Sequence, residues 1–127
     1  MSVRHDLTCV KGDSFEFKIK FDGAITGIEG ISFGIKSNYK ATNYAAIIRY
    51  GVYSADGEIT SEGNGVYDCL LYASTTNDDS MIATNYVYEI KVKVRVANNG
   101  EDSDTRIYTP VYGQFKLLPN VIMSMTT

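Results

Sequence analysis

Strict alternation of apolar and polar positions dominates this chain. From Asn85 to Val96, Tyr86, Tyr88, Ile90, Val92, Val94 and Val96 alternate with Val87, Glu89, Lys91, Lys93 and Arg95. A period of two built from β-branched and aromatic residues predicts a strand with one buried face and one wet face. Ser14 to Phe21 repeats the pattern, with Phe15, Phe17, Ile19 and Phe21 opposite Glu16, Lys18 and Lys20; Ile31, Phe33 and Ile35 do the same. This register predicts that Phe15, Phe17, Ile19, Phe33, Ile35, Ile90, Val92 and Val94 are mostly buried, while Lys18, Lys91, Lys93 and Arg95 face water. Weaker strands are expected over Leu7 to Val10, Ala46 to Tyr53 and Val66 to Ala73. A last pair, Thr105 to Tyr108 and Tyr112 to Leu118, is expected to break at Pro110, which has no N–H for a ladder.

The pairs Asp22-Gly23, Asp56-Gly57, Asn64-Gly65 and Asn99-Gly100 are turn signals, because these residues adopt positive φ easily. No segment carries a helical period, although Ala41 to Ile48 has room for a short helical turn. Seven to nine one-sided strands joined by tight turns predict an all-β antiparallel sandwich. A small closed barrel is the alternative.

Composition narrows the function more than it names it. At 127 residues, 44% hydrophobic and 21% charged, the chain is expected to form a single globular domain spanning 1–127. A net charge of −3 argues against duplex nucleic acid as a partner, since phosphate neutralisation needs a basic surplus. One histidine and two cysteines cannot furnish a four-ligand zinc site. Arg4, His5 and Asp6 interrupt the start before any apolar run of signal-peptide length. No apolar stretch approaches the ~20 residues that span a bilayer, so no membrane partner is expected. The interior of a cell, or a particle assembled there, is the expected setting, and Cys9 and Cys69 are expected to be free thiols there.

Several patches, in order, resemble a family. Val10-Lys11-Gly12-Asp13-Ser14-Phe15-Glu16-Phe17 stands near the start, Ile31-Ser32-Phe33-Gly34-Ile35-Lys36 in the middle, and Tyr86-Val87-Tyr88-Glu89-Ile90 late. Thr109 and the closing run Tyr112-Gly113-Gln114-Phe115-Lys116-Leu117 complete the set. Together, over residues 7 to 119, they resemble the small immunoglobulin-like β-sandwich proteins of bacteriophages and prophages. That group includes the amino-terminal domain of upper baseplate proteins and related tail-associated chains. The resemblance implies a non-enzymatic virion structural role in a tail or baseplate, assembled in the bacterial host cytoplasm. It also implies self-association, contacts with other virion proteins, and no catalytic residues or cofactor. In an immunoglobulin-like strand order, one intervening strand would hold Cys9 and Cys69 ~10 Å apart, beyond disulfide reach.

The chemistry-bearing residues are few. His5 is the one imidazole, and on a strand it would stand ~13 Å from Cys9; it reads as a solvated residue near a loose terminus. Asp78-Asp79 and Glu101-Asp102-Ser103-Asp104 are carboxylate clusters, the second able to gather oxygens around calcium, but without EF-hand spacing. Gly27, Gly30 and Gly34 lack the Lys-Ser/Thr partner of a phosphate loop. Lys91, Lys93 and Arg95 form a basic stripe whose aromatics lie on the opposite face, which favours cross-strand ion pairs over a single-strand nucleic-acid groove. Gly113 is expected to mark a bulge or a close backbone contact. The chain has ten tyrosines and no tryptophan. Tyr39, Tyr44, Tyr50 and Tyr53 gather around a loop-like middle and are the candidate interaction surface, since amphipathic rings suit protein contacts. A carbohydrate-binding or adhesin module using those tyrosines is the alternative function.

Overall fold

The computed structural model describes residues 2–21, 27–98 and 101–120, with side chains for all of these except 96–98 and 101–104. Among the described residues are nine strands: β1 (Val3–Arg4), β2 (Leu7–Val10), β3 (Phe15–Lys20), β4 (Ile28–Lys36), β5 (Ala46–Arg49), β6 (Gly57–Gly63), β7 (Val66–Leu71), β8 (Asn85–Asn98) and β9 (Glu101–Leu118). One helical turn, α1 (Ala73–Thr76), links β7 to β8.

The strands make two sheets. In the larger, β9, β8, β4 and β5 follow one another antiparallel, and β1 and β2 both pair with β9 in parallel. The smaller has the order β3-β7-β6. Facing sheets with this strand order form an immunoglobulin-like sandwich, with the first strand moved across to β9. Among the described residues the two sheets meet edge to edge only through a single bridge between Tyr50, just past β5, and Ile59 of β6, not through a ladder, so the barrel alternative falls away.

The alternating positions explain the packing. Ile31, Phe33 and Ile35 from β4 and Tyr86, Tyr88, Ile90, Val92 and Val94 from β8 are buried between the sheets. Their neighbours Lys91, Lys93 and Arg95 are exposed, as is Lys18 on β3. At the centre, Phe33 lies 5.1 Å from Phe17 and 5.5 Å from Tyr88, both edge-on. Such edge-to-face pairs favour the ring quadrupoles beyond simple area burial. At the start of β8, the buried Tyr86 hydroxyl donates to the Ile82 carbonyl at 2.7 Å. This is the corner tyrosine of immunoglobulin-like folds, and Tyr88, two residues on, stands where antibody domains place an inter-sheet cysteine. Aromatic rings here fill the space that a disulfide fills there.

Several expectations are corrected. Pro110 does not break the last strand. Ile90 pairs with Val111 and Val92 with Tyr108, so Thr109 and Pro110 bulge opposite Lys91 and the missing N–H is absorbed there. β6 was hidden because Gly57–Gly63 contains one large apolar residue, the buried Ile59. Gly57 opens that strand without a positive φ, whereas Gly63, Asn64 and Gly65 all have positive φ in the β6–β7 turn. β5 stops at Arg49, the chain turns helical at Ala73–Thr76 instead of ending β7 there, and Ala41 to Ile48 holds no helix. Asp22-Gly23 and Asn99-Gly100 lie outside the described residues, as do the side chains of Val96 and of the 101–104 carboxylate cluster.

Phe15 and Phe17 are mostly buried and pack against the core, though less fully than Ile19 on the same strand. The thiols of Cys9 and Cys69 are free, but the expected reason was wrong. Cys9 lies on β2 in the large sheet and Cys69 on β7 in the small one, so no shared sheet separates them.

Candidate functional site

The outer face of the large sheet carries the site. Between β4 and β5, residues 37–45 fold back across the sheet and lay two tyrosines on it. The loop is held by an Asn38 turn, where the Asn38 side chain accepts the Lys40 N–H at 2.9 Å, and by the Ala45 N–H donating to Ile35 at 2.7 Å. Tyr44 rests on Gly34: a Cβ at that position would come within 2.6 Å of the Tyr44 ring. Lys36 sets its ammonium 4.7 Å from the centre of the same ring, a cation–π contact. Tyr39 reaches across β8 and donates weakly to the Gly113 carbonyl on β9 at 3.4 Å.

These rings wall a groove of about 100 Å³, floored by Ser32, Gly34, Ile47, Val87, Glu89 and Lys91. Tyr39 and Tyr44 are 51% and 46% exposed, so each offers roughly half its ring to a partner. Partial burial raises the Tyr39 hydroxyl above its ordinary pKa, and the Glu89 carboxylate adds to that rise, which keeps it a neutral donor. Lys91 pairs with Glu89 at 3.3 Å and donates to Thr109 Oγ1 at 2.9 Å. Arg95 pairs with Glu29 across the β4–β8 ladder. Two of the three cations of the basic stripe, Lys91 and Arg95, are therefore engaged in ion pairs on the sheet surface.

The four expected tyrosines do not form one surface. Tyr39 and Tyr44 meet at the groove. Tyr50 turns inward and packs edge-on against Tyr67 at 5.2 Å. Tyr53 is 89% exposed, in the turn after β5. The residues missed by sequence reasoning are Gly34, Lys36 and Glu89, which complete the groove. A signal for Gly34 existed, since it interrupts the alternation at an outward position where only a flat patch would tolerate a ring lying across it.

Neither thiol is set up as a nucleophile. Burial pushes the Cys9 thiol up to about 11, and the nearby Asp13 charge adds to this. Burial and then Asp68 push Cys69 up to about 12. Both are therefore protonated and poor nucleophiles at neutral pH. His5 is exposed, but its backbone is not loose: its N–H donates to Tyr112 at 2.8 Å and its carbonyl accepts the Tyr88 hydroxyl. Gly113 is a close-contact glycine, because a Cβ there would collide with the His5 carbonyl. Asp78 binds Ser80 through its hydroxyl and N–H, which lowers its pKa. Among the described residues, no three His, Cys, Asp or Glu side chains gather as metal ligands, and no helix is long and apolar enough to cross a membrane.

No protein-family model matches the chain, and no curated protein does. Among solved structures it is similar to the titin M3 domain, at 12% identity over 92% of this chain and 91% of that one, with a TM-score of 0.41. It is also similar to the extracellular domain of the voltage-gated sodium channel beta4 subunit, described as a parallel homodimer with a role in cell–cell adhesion. That likeness is 14% identical over 95% of this chain and 98% of the other, with a TM-score of 0.42. The strand order and the Tyr86 corner, not these distant likenesses, carry the fold assignment.

Proposed function

We propose that this chain is a non-enzymatic docking module, working through protein–protein contacts made by the outer face of its large sheet. One observation carries the reading: Tyr39 and Tyr44 are held half-exposed on a flat, Gly34-floored sheet surface by the loop that precedes β5. Rigid tyrosines at the centre of a patch, ringed by Lys36, Glu89 and Lys91, have the make-up of an interaction hot spot. The partners we propose are a second copy of the chain and other proteins of a phage or prophage tail or baseplate. Support for the virion setting is the order of the sequence patches from Lys11-Gly12-Asp13-Ser14-Phe15 to Gly113-Gln114-Phe115.

The test is light scattering on the full chain over a wide concentration range, alone and with the products of neighbouring genes. Tyr44→Ala should weaken association about tenfold or more without unfolding the domain. A strict monomer that ignores those products removes the reading. The groove is also aromatic and flanked by hydrogen-bonding groups, which suits a sugar ring; a glycan array that lights up, and goes dark with Tyr44→Ala, replaces the protein partner with a carbohydrate.

A further inference from the structure

The two outer faces of the sandwich carry opposite charge. On the large sheet, Lys91 and Arg95 are already paired with Glu89 and Glu29. Lys36, Arg49, Lys93 and Lys116 share that face, because their chain neighbours Ile35, Ile48, Val92 and Phe115 point into the core. Lys36 meets only the Tyr44 ring, and none of the four meets a carboxylate among the described residues. This surplus stands out in a chain whose net charge is −3. On the small sheet the balance reverses. Lys18 is paired with Glu62 at 2.9 Å, which leaves Glu16, Glu58 and Asp68 facing outward with Lys20 as the remaining cation of the three strands. The shortage of donors shows at Asp68, whose Oδ1 has none. Glu16 and Glu58 stand on either side of the partly exposed Leu70 in the β3-β7-β6 register. An apolar centre flanked by carboxylates complements the tyrosine groove, whose rings are flanked by Lys36 and, beside Ser32, by Arg49.

We propose that copies of this chain stack head to tail, the large-sheet face of one copy on the small-sheet face of the next. The proposal rests on the docking role of the large-sheet face and names the surface that meets it. Charge selects this occupant and this orientation. Pairing two large-sheet faces about a two-fold axis would set unpaired cations against unpaired cations, and pairing two small-sheet faces would do the same with carboxylates. Opposite faces instead bring Glu16 and Glu58 to cations that lack a carboxylate, and Leu70 to the rings of Tyr39 and Tyr44. Exposed ion pairs add little affinity, so the charges steer and orient the encounter. The aromatic centre, drained of water by the contact, supplies most of the binding energy. The two faces point away from each other across the core, so a copy docked through one still offers the other. Such a contact is heterologous and repeats from copy to copy.

The test is light scattering on the full chain at low ionic strength over a wide concentration range. Mass should grow past two copies as concentration rises. Raising salt to about 1 M, where the Debye length is about 3 Å, should weaken association about tenfold or more. Two variants reverse exposed charges outside the groove: Arg49→Glu/Lys93→Glu on the large sheet and Glu16→Lys/Glu58→Lys on the small one. Each alone should stay monomeric while melting close to the parent's temperature. Mixing the two should restore association, because each keeps the face that the other has lost. Mass unchanged by Glu16→Lys/Glu58→Lys overturns the proposal, since the large-sheet face would then be meeting itself, and so does a mixture that restores nothing. A chain that is monomeric at every concentration yet binds a neighbouring gene product through Tyr44 overturns the stack and keeps the docking reading. Association that survives both Tyr44→Ala and Arg49→Glu/Lys93→Glu removes both.

Discussion

On either side of the β4–β8 ladder sits an aromatic cluster, and the two use similar rings to opposite effect. Inside, Phe33 meets Phe17, Tyr88 and Phe115 edge-on, and the two buried tyrosines of β8 hand their hydroxyls to the carbonyls of Ile82 and His5. Outside, Tyr39 and Tyr44 lie across the sheet with about half their surface in water. The inner rings are fixed from all sides and hold two sheets together. The outer rings are fixed from one side only, by Gly34, Lys36 and the loop, so the other side remains for a partner. A tyrosine's role here is set by the parity of its position and by what lies opposite, not by its chemistry.

The comparison breaks most visibly at its inner centre. Phe33→Ala should lower stability by about 3–5 kcal/mol, the usual loss for a buried aromatic, read by denaturant unfolding. Tyr88→Phe keeps the ring and removes only the hydrogen bond to His5, so about 1 kcal/mol is expected, together with faster amide exchange at β1 and β2. Burial, with smaller contributions from the Asp6 and Tyr39 charges, pushes the Tyr88 hydroxyl up to about 12, so ultraviolet titration should show it ionising after the exposed tyrosines. On the outside, Tyr44→Ala should move stability by less than about 0.5 kcal/mol while association falls. An equal loss of stability at Phe33 and Tyr44 would erase the distinction.

The smallest expected effect lies on the outer face of the small sheet. Asp68 Oδ1 is buried and has no hydrogen-bond donor. A proton on Glu16 would bridge the two carboxyls; that bond, and then the Asp68 charge, raise the Glu16 pKa. A carboxyl raised in the folded state penalises folding once it ionises, and the penalty is absent below its unfolded pKa of about 4.3. Glu16→Gln should therefore raise Tm slightly at pH 7, and the difference should shrink to nothing as pH falls below that value.

Much of the sandwich is legible in period-two patterning. β3, β4 and β8 carry enough consecutive apolar positions on one face for the register to be read directly, and Asn64-Gly65 marks its turn. The pattern fails where burial comes from somewhere other than the strand's own side chains. β6 has Ile59 and little else, since it lies at a sheet edge. β9 continues through Pro110 because a bulge opposite Lys91 absorbs the residue, and beyond it Ile107 and Tyr108, on opposite faces of the strand, are both exposed, at 64% and 48%. The groove is half legible: Tyr39 and Tyr44 were candidates, but the inward turn of Tyr50 depends on Tyr67, which is remote in sequence.

The parallel pairing of β1 and β2 with β9 has a mechanical consequence. Val3 lies beside Val111 at one pole, and Val10 beside Leu118 at the other. Tension applied through Val3 and Leu118 pulls the paired strands lengthwise past each other, so it loads all six paired positions in shear together. A hairpin pulled open from its end yields one bond at a time; this seam would have to slip as a unit. The two short strands at the start of the chain thus act as a latch against stretching, out of proportion to their length.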